Sequence, residues 1–316
     1  MRKQLYLHIG PHKTGTTSLQ YYLNHNRANL SGRGWLYPKS GCPKTNYGHH
    51  EVARSFLGRG RFDISVLRQE IDRTQCRNIL LSSEDLSLCR DPDIVANALS
   101  GFDVKIVIFL RRQDELLLSM FNQGVKTGSY CGSLPAFASN LEKNGRLNHY
   151  ELCERWAAVF GEGHVIATLY RPDHSVIVDF FGRLGIDKDR CADPPRIHAN
   201  RSVDPRLIGA MKMIRKLGKE GLSDTYCNEI IAIIRSFESR LNCNRTYSLM
   251  NVEERQRFLA RYRDSNLKLF DRFVPGESFE DPAVSNRGEV KVGENFIHHL
   301  LFKEIMSQLA ARRTQS

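Results

Sequence analysis

The sequence lacks any paired-cysteine motif. Its eight cysteines, Cys42, Cys76, Cys89, Cys131, Cys153, Cys191, Cys227 and Cys243, are scattered, and no two form a C-x-x-C pair. A zinc site or a disulfide framework is therefore not indicated, and scattered thiols in a long chain suit a reducing compartment. The sequence also lacks an apolar run near the length of about 18 residues that a membrane span needs. The run at the start, Leu5–Ile9, is short and leads at once into glycine, too short for a signal-peptide core. These absences lead to the expectation of a cytoplasmic protein without a transmembrane segment. No internal repeat or low-complexity tract is present. Lysines and arginines are spread thinly, with no basic run carrying interleaved aromatics, so a nucleic-acid-binding module is not expected.

What is present is an ordinary globular composition, 41% hydrophobic and 26% charged over 316 residues, enough for a sizeable core. The 46 basic residues outnumber the 35 acidic ones and leave a formal charge of +11, which favours anionic partners such as a multiply charged nucleotide or an anionic glycan.

Four short runs rich in Val, Ile and Leu read as buried strands: Leu5–Ile9, Asn78–Ser82, Val104–Leu110 and Val165–Leu169. Helical spacing lies between them, with Leu19, Tyr22 and Leu23 on one face of Thr17–Leu23, and Leu116, Leu117, Met120 and Phe121 on one face of Glu115–Lys126. Leu147–Phe160 reads as a further helix. Strands alternating with helices predict an α/β fold, a central parallel sheet flanked by helices in three layers. Beyond this, Asp204-Pro205 is a helix start. Helices are expected over Asp224–Leu241, Glu253–Phe270 and Asn295–Ala310, and a loop over Val274–Gly293. The expected organisation is a single domain over 1–316, with an α/β nucleotide-binding core over 1–215. Residues 216–316 form a helical C-terminal part, a candidate cover for an acceptor site.

The first strand runs into Gly10-Pro11-His12-Lys13-Thr14-Gly15-Thr16-Thr17-Ser18 and then a helix. Such a strand–turn–helix junction cradles anions, because backbone N–H groups converge there and the helix dipole adds partial positive charge. Gly10 and Gly15 have the spacing of the phosphate loop G-x-x-x-x-G-K-[ST]. The lysine position, however, holds Thr16, Thr17 stands at the Ser/Thr position, and the loop's lysine is Lys13. In nucleotide hydrolases the lysine works with Mg²⁺ on the β- and γ-phosphates. Its displacement argues against the alternative of a nucleotide kinase or NTPase with a degenerate loop. It suits transfer of a less charged group, with Lys13 near the oxygen where leaving-group charge develops.

The segment Leu7–Gln20, with its run K-T-G-T-T-S-L, resembles the 5′-phosphosulfate loop of sulfotransferases that use 3′-phosphoadenosine 5′-phosphosulfate (PAPS), in particular bacterial, carbohydrate-type members. The resemblance implies a P-loop-like fold, Lys13 as catalytic lysine, and Thr14, Gly15, Thr16, Thr17 and Ser18 as holders of the 5′-phosphate. It implies no metal requirement. The family grips the 3′-phosphate with an arginine at a strand end and a serine eight residues later. Here these are Arg111, after Val104–Leu110, and Ser119, though Arg112 leaves the register open by one and Gln113 replaces a common proline. Arginine's fork of donors suits phosphate. Gln123–Gly128, Leu169-Tyr170-Arg171 and, loosely, the basic segment Arg196–Ser202 resemble other family segments, the last one a loop closing over the nucleotide.

An acceptor hydroxyl or amine must lose a proton, so a general base is expected. Glu84, after the strand Asn78–Ser82, is favoured. His50, in Tyr47-Gly-His-His-Glu51, is the competitor. His8 is read as a core or near-site residue, and His12 as a possible nucleotide contact. The expected acceptor is a glycan, a glycoconjugate or a small hydroxylated metabolite.

Overall fold

A computed structural model describes residues 2–43, 46–186, 202–238, 241, 246–286, 288–293, 296, 301–303 and 305–308. In chain order the elements are β1 (Gln4–Gly10), α1 (Thr16–His25), α2 (Arg27–Ser31), β2 (Trp35–Leu36), α3 (His50–Phe56), α4 (Ile64–Arg73) and β3 (Asn78–Ser82). A 3-10 turn, Glu84–Leu88, follows. Next come α5 (Asp93–Ala98), β4 (Asp103–Leu110), α6 (Gln113–Thr127), α7 (Leu134–Lys143), α8 (His149–Phe160), β5 (Val165–Leu169) and α9 (Val176–Leu184). Then follow α10 (Ile208–Lys219), α11 (Asp224–Glu238), β6 (Tyr247–Ser248), α12 (Val252–Ala260), α13 (Arg263–Arg272), α14 (Pro282–Ser285) and β7 (Val290–Lys291). The chain divides into two compact units, each discontinuous in sequence. The first takes 1–112, 148–199 and 263–279; the second takes 113–147, 200–262 and 280–316.

The first unit is an α/β sandwich. Its sheet runs β2-β3-β1-β4-β5, all neighbours parallel, with β1 central. Because side chains alternate along a strand, each strand feeds two cores. Leu5, Leu7, Ile9, Ile79, Leu81, Ile106 and Ile108 pack on one face against Val52, Leu67, Leu152, Trp156 and Leu269 of α3, α4, α8 and α13. Tyr6, Leu80, Val107 and Phe109 pack on the other against Leu19, Tyr22, Leu23, Phe180 and Phe181 of α1 and α9. Burial on both faces is what makes these strands read as near-continuous apolar runs. The chain leaves β1 for the β2 edge, returns to β3 beside β1, then crosses to β4 on the opposite side. The strand order therefore reverses next to β1, the place in open α/β sheets where ligands gather at strand C-termini. The loops after β1, β3 and β4 all emerge at that end.

The second unit packs α6, α7, α10, α11 and α12 around a core that includes Leu116, Phe121, Leu141, Met211, Ile234 and Phe258. β6 and β7 pair parallel within it. Arg255 of α12 is buried, with Nη1 donating to Asp114 Oδ2 at 2.7 Å and Nη2 to Glu289 Oε2 at 2.8 Å and Ser248 Oγ at 2.9 Å.

Three expectations need revision. β2 is a further strand, just two residues long. The helix expected over Glu253–Phe270 is two helices, broken at Arg261–Tyr262, because its apolar residues serve different cores: Phe258 and Tyr262 that of the second unit, Leu269 and Phe273 that of the first. The stretch Val274–Gly293 holds α14 and β7 rather than loop alone. Of the helix expected at Asn295–Ala310, residues 295, 297–300, 304, 309 and 310 lie outside the described residues; 301–303 and 305–308 are helical.

Candidate active site

β1 delivers the loop through three residues in the left-handed region: Gly10 (φ 86°), Lys13 (φ 68°) and Gly15 (φ 77°). Lys13 is the one non-glycine with positive φ among the described residues. A side chain there costs about 1–2 kcal/mol, a strain that persists where the surroundings fix it. Glycine is required at the other two positions for space as well as for φ. A Cβ on Gly10 would lie 2.7 Å from Glu84 Cβ, and one on Gly15 would lie 2.9 Å from Val176 Cγ1. The Thr14 hydroxyl donates to the Pro11 carbonyl at 2.7 Å and closes the loop. Gly15 is the N-cap of α1, and no side chain caps that helix, so its first N–H groups have neither intrahelical partner nor side-chain acceptor. Thr14 and Thr16 are buried, whereas Thr17 and Ser18 are exposed on the first turn. An uncapped, hydroxyl-bearing N-terminus beside a lysine fits a phosphate or sulfate group.

Arg111 follows β4 and stands at the same end of the sheet. Its Nη1 donates to the Lys13 carbonyl at 3.1 Å, and its guanidinium lies 5.3 Å from the Tyr170 ring centre. His149 donates from Nε2 to the Arg111 carbonyl at 2.6 Å, and burial pushes its pKa down to about 4, so the ring is neutral. Arg112 is buried while Arg111 is half-buried. Ser119 is a half-buried residue of α6, in the second unit. Of Arg196–Ser202, residues 196–201 lie outside the described residues.

Glu84 opens the 3-10 turn after β3 and meets three side chains. Gln20 Nε2 donates to its Oε2 at 2.7 Å; His50 Nε2 lies 3.9 Å from Oε2, and His12 Nδ1 lies 3.9 Å from Oε1. Asp85 collects the same two imidazoles, with its Oδ1 3.5 Å from His12 Nε2 and its Oδ2 3.4 Å from His50 Nδ1. The hydrogen bond from His50 holds the Asp85 carboxyl below the usual carboxylate range against its partial burial, and the charges of His12, His50 and Arg54 add to this. The Ser83 hydroxyl lies 2.9 Å from His50 Nδ1. The structure thus brings Glu84, His50 and His12 together beside the loop that carries Lys13.

A second layer of polar groups lies beneath. His8 of β1 is fully buried. Its Nδ1 is 2.8 Å from Ser82 Oγ, its Nε2 has no partner among the described residues, and burial pushes its pKa down to about 4 against the pull of Glu84. His49 accepts at Nδ1 from the Ser82 N–H (3.1 Å) and donates at Nε2 to the Pro38 carbonyl (3.1 Å), which fixes its tautomer; burial and Arg27 bring its pKa to about 3. Both rings are therefore neutral spacers and not acid–base groups at neutral pH.

Sequence reasoning assigned no role to Gln20 or Asp85. For Gln20 a signal existed: it is a polar residue on the buried stripe of α1, among Thr16, Leu19, Tyr22 and Leu23. For Asp85 the signal was weaker, an acidic neighbour of Glu84. Among the described residues no group of three or more His, Cys, Asp or Glu side chains is arranged to hold a metal ion, and no helix is long and apolar enough to cross a membrane.

No protein-family model matches the chain. An uncharacterized protein of Archaeoglobus fulgidus is 30% identical over 177 residues, 54% of this chain and 45% of that protein. The match thus spans less than half of that relative. Among solved structures, a sulfotransferase from Alicyclobacillus acidocaldarius is similar with a TM-score of 0.43 and 17% identity, over 72% of this chain and 99% of that one.

Proposed function

We propose that the chain transfers a sulfuryl group from PAPS to an acceptor hydroxyl or amine. The observation that carries this reading is the loop at 10–18: a lysine in left-handed conformation at position 13 and an uncapped helix with exposed Thr17 and Ser18, set beside a carboxylate flanked by two imidazoles.

The donor supplies an activated sulfuryl group whose S–O bond to phosphate breaks as a bond from sulfur to the acceptor oxygen or nitrogen forms, the bonding pair leaving on the phosphate. The chain's part is positioning and electrostatics. The N–H groups at the start of α1, with the Thr17 and Ser18 hydroxyls, hold the 5′-phosphate. The Lys13 ammonium stabilises charge that develops on the departing phosphate oxygen. Arg111 takes the 3′-phosphate with its fork of donors while it fixes the Lys13 carbonyl; for Ser119 the assignment is that of the resemblance alone. Glu84 accepts the acceptor's proton, and His50 is the alternative base. Neutral His8 and His49 keep the floor of the site uncharged.

The acceptor class follows from what surrounds Glu84. Two carboxylates at this end, Glu84 and Asp85, oppose a strongly acidic acceptor despite the net charge of +11. This supports an uncharged glycan hydroxyl or a small hydroxylated metabolite. The deciding measurement is thermal stabilisation by 3′-phosphoadenosine 5′-phosphate compared with ATP and Mg²⁺, followed by transfer of label from PAPS to a panel of sugars. Stabilisation by the bisphosphate is the expected result. Stabilisation by ATP with Mg²⁺ alone would replace this reading with a nucleotide kinase or NTPase.

A further inference from the structure

We infer that Gln20 is the positioning residue that orients Glu84, tying the proposed base to the helix that begins at the donor loop. The inference rests on the reading of Glu84 as base and adds a residue which that reading did not need.

Gln20 lies on the second turn of α1 and is 1% exposed. A buried side-chain amide must spend its donors on acceptors. Gln20 Nε2 gives one hydrogen bond to Glu84 Oε2 at 2.7 Å and another to Ser82 Oγ at 3.2 Å. Turning the amide over would set its carbonyl oxygen against the carboxylate, so the charge on Glu84 fixes the amide's orientation. Packing fixes its place. A Cβ on Gly48 would lie 2.7 Å from Gln20 Cδ and 2.8 Å from His50 Nε2, so the chain passes close against the amide and a larger residue there would have to displace it. Ser82 extends the tie to His8 Nδ1 at 2.8 Å. The chain Glu84–Gln20–Ser82–His8 therefore links the end of β3, the helix α1 and the central strand.

The chemical consequence is a division of labour between the two carboxylate oxygens. Oε2 accepts from Gln20. Oε1 is on the side of His12, and it is the oxygen to which the acceptor's proton passes: the acceptor O–H or N–H bond breaks, its electron pair stays on the acceptor atom, and a new O–H bond forms at Oε1. A donor held on Oε2 fixes the plane of the carboxylate and so the direction in which Oε1 points. The other groups that face Glu84 are His12 from the loop, His50 from α3, Asp85 next in sequence, His8 from β1 and Tyr37 after β2.

The test uses the whole chain with Gln20→Leu, which keeps the volume and removes both donors; Gln20→Met takes its place if that variant does not fold. With PAPS and an accepted sugar, kcat falls about 10- to 100-fold. KM for PAPS and thermal stabilisation by the bisphosphate stay within about twofold, as expected when only the orientation of the base is lost. A wild-type kcat overturns the inference. So does a fall in kcat that comes with an equal loss of bisphosphate stabilisation, which would make Gln20 a packing residue. If the wild-type chain transfers no sulfuryl group, the proposed function fails by itself, and the tie is read by NMR. The Gln20 side-chain amide proton then moves on Glu84→Ala if the two groups are bonded; an unchanged resonance overturns the inference in that case too.

Discussion

Arg111 donates from Nη1 to the carbonyl of Lys13 at 3.1 Å, so a side chain from the end of β4 holds the backbone of the strained residue at the centre of the loop. The two residues are expected to fail differently. Lys13→Ala removes the charge but keeps that bond, and should lower kcat by about 10²–10³ with little change in bisphosphate affinity. Arg111→Ala removes both the proposed 3′-phosphate contact and the loop support, and should weaken bisphosphate binding about 10-fold or more. Steady-state kinetics and calorimetric titration with 3′-phosphoadenosine 5′-phosphate separate the two outcomes.

Glu84→Gln keeps the size of the side chain and removes the proton-accepting oxygen. Turnover should fall about 10²- to 10⁴-fold, with thermal stabilisation by the bisphosphate retained. If turnover survives in Glu84→Gln and is lost in His50→Ala, the base is His50, whose ring is within 3.9 Å of the same carboxylate.

Gly10→Ala and Gly34→Ala make a matched pair. Both glycines have positive φ, 86° and 79°, but a Cβ on Gly34 meets nothing within 4 Å, whereas one on Gly10 meets the Cβ and Cα of Glu84 at 2.7 and 2.9 Å. Gly34→Ala should cost about 1 kcal/mol, the conformational part alone. Gly10→Ala should cost about 2–4 kcal/mol and displace the proposed base, removing activity as well. Denaturant titration of both variants supplies the comparison.

Three buried histidines of the first unit carry lowered pKa values: His8 and His149 at about 4, His49 at about 3. The unfolded chain binds their protons near pH 6.5, while the folded chain refuses them. Their contribution is therefore complete above pH 6.5 and is lost as pH falls towards 4 and 3, at about 3 kcal/mol for His8 and for His149 and about 5 kcal/mol for His49. Unfolding free energy should drop steeply between pH 6.5 and 4. His149→Gln, which retains a donor for the Arg111 carbonyl, should flatten that slope. An unchanged slope would show that His149 is protonated in the folded state.

Arg255 is nearly inaccessible, and its partner Asp114 is completely so. Arg255→Met should destabilise the second unit by about 3–5 kcal/mol, because two carboxylates lose their shared cation. Adding Asp114→Leu should recover part of that loss, which thermal denaturation of the single and double variants would show.

The core of the fold was legible because β1, β3, β4 and β5 are buried on both faces and read as short runs dominated by Val, Ile and Leu, with His8, Lys105 and Thr168 as isolated polar exceptions. β2 was not legible. Trp35–Leu36 is too short for a period, and it becomes a strand through its pairing with Asn78 and Ile79 of β3. The break at Arg261–Tyr262 was hidden for another reason: helical spacing continues across it, and spacing does not say which core an apolar face will meet. At the candidate site the loop and Glu84 could be singled out from local sequence. The partners of Glu84 could not, since Gln20 is 64 residues away from it and meets it through the parallel pairing of β1 with β3.

Residues 263–279 return to the first unit, and Leu269 of α13 and Phe273 just after it complete its core against the sheet. A ribosome-bound chain truncated before α13 holds every strand of that sheet yet lacks the apolar wall that seals one face. The sheet is therefore expected to finish folding only after the segments of 113–147 and 200–262 have emerged. A C-terminal truncation that spares the whole loop at 10–18 would still be expected to abolish the proposed binding of PAPS, by leaving that face of the sheet open.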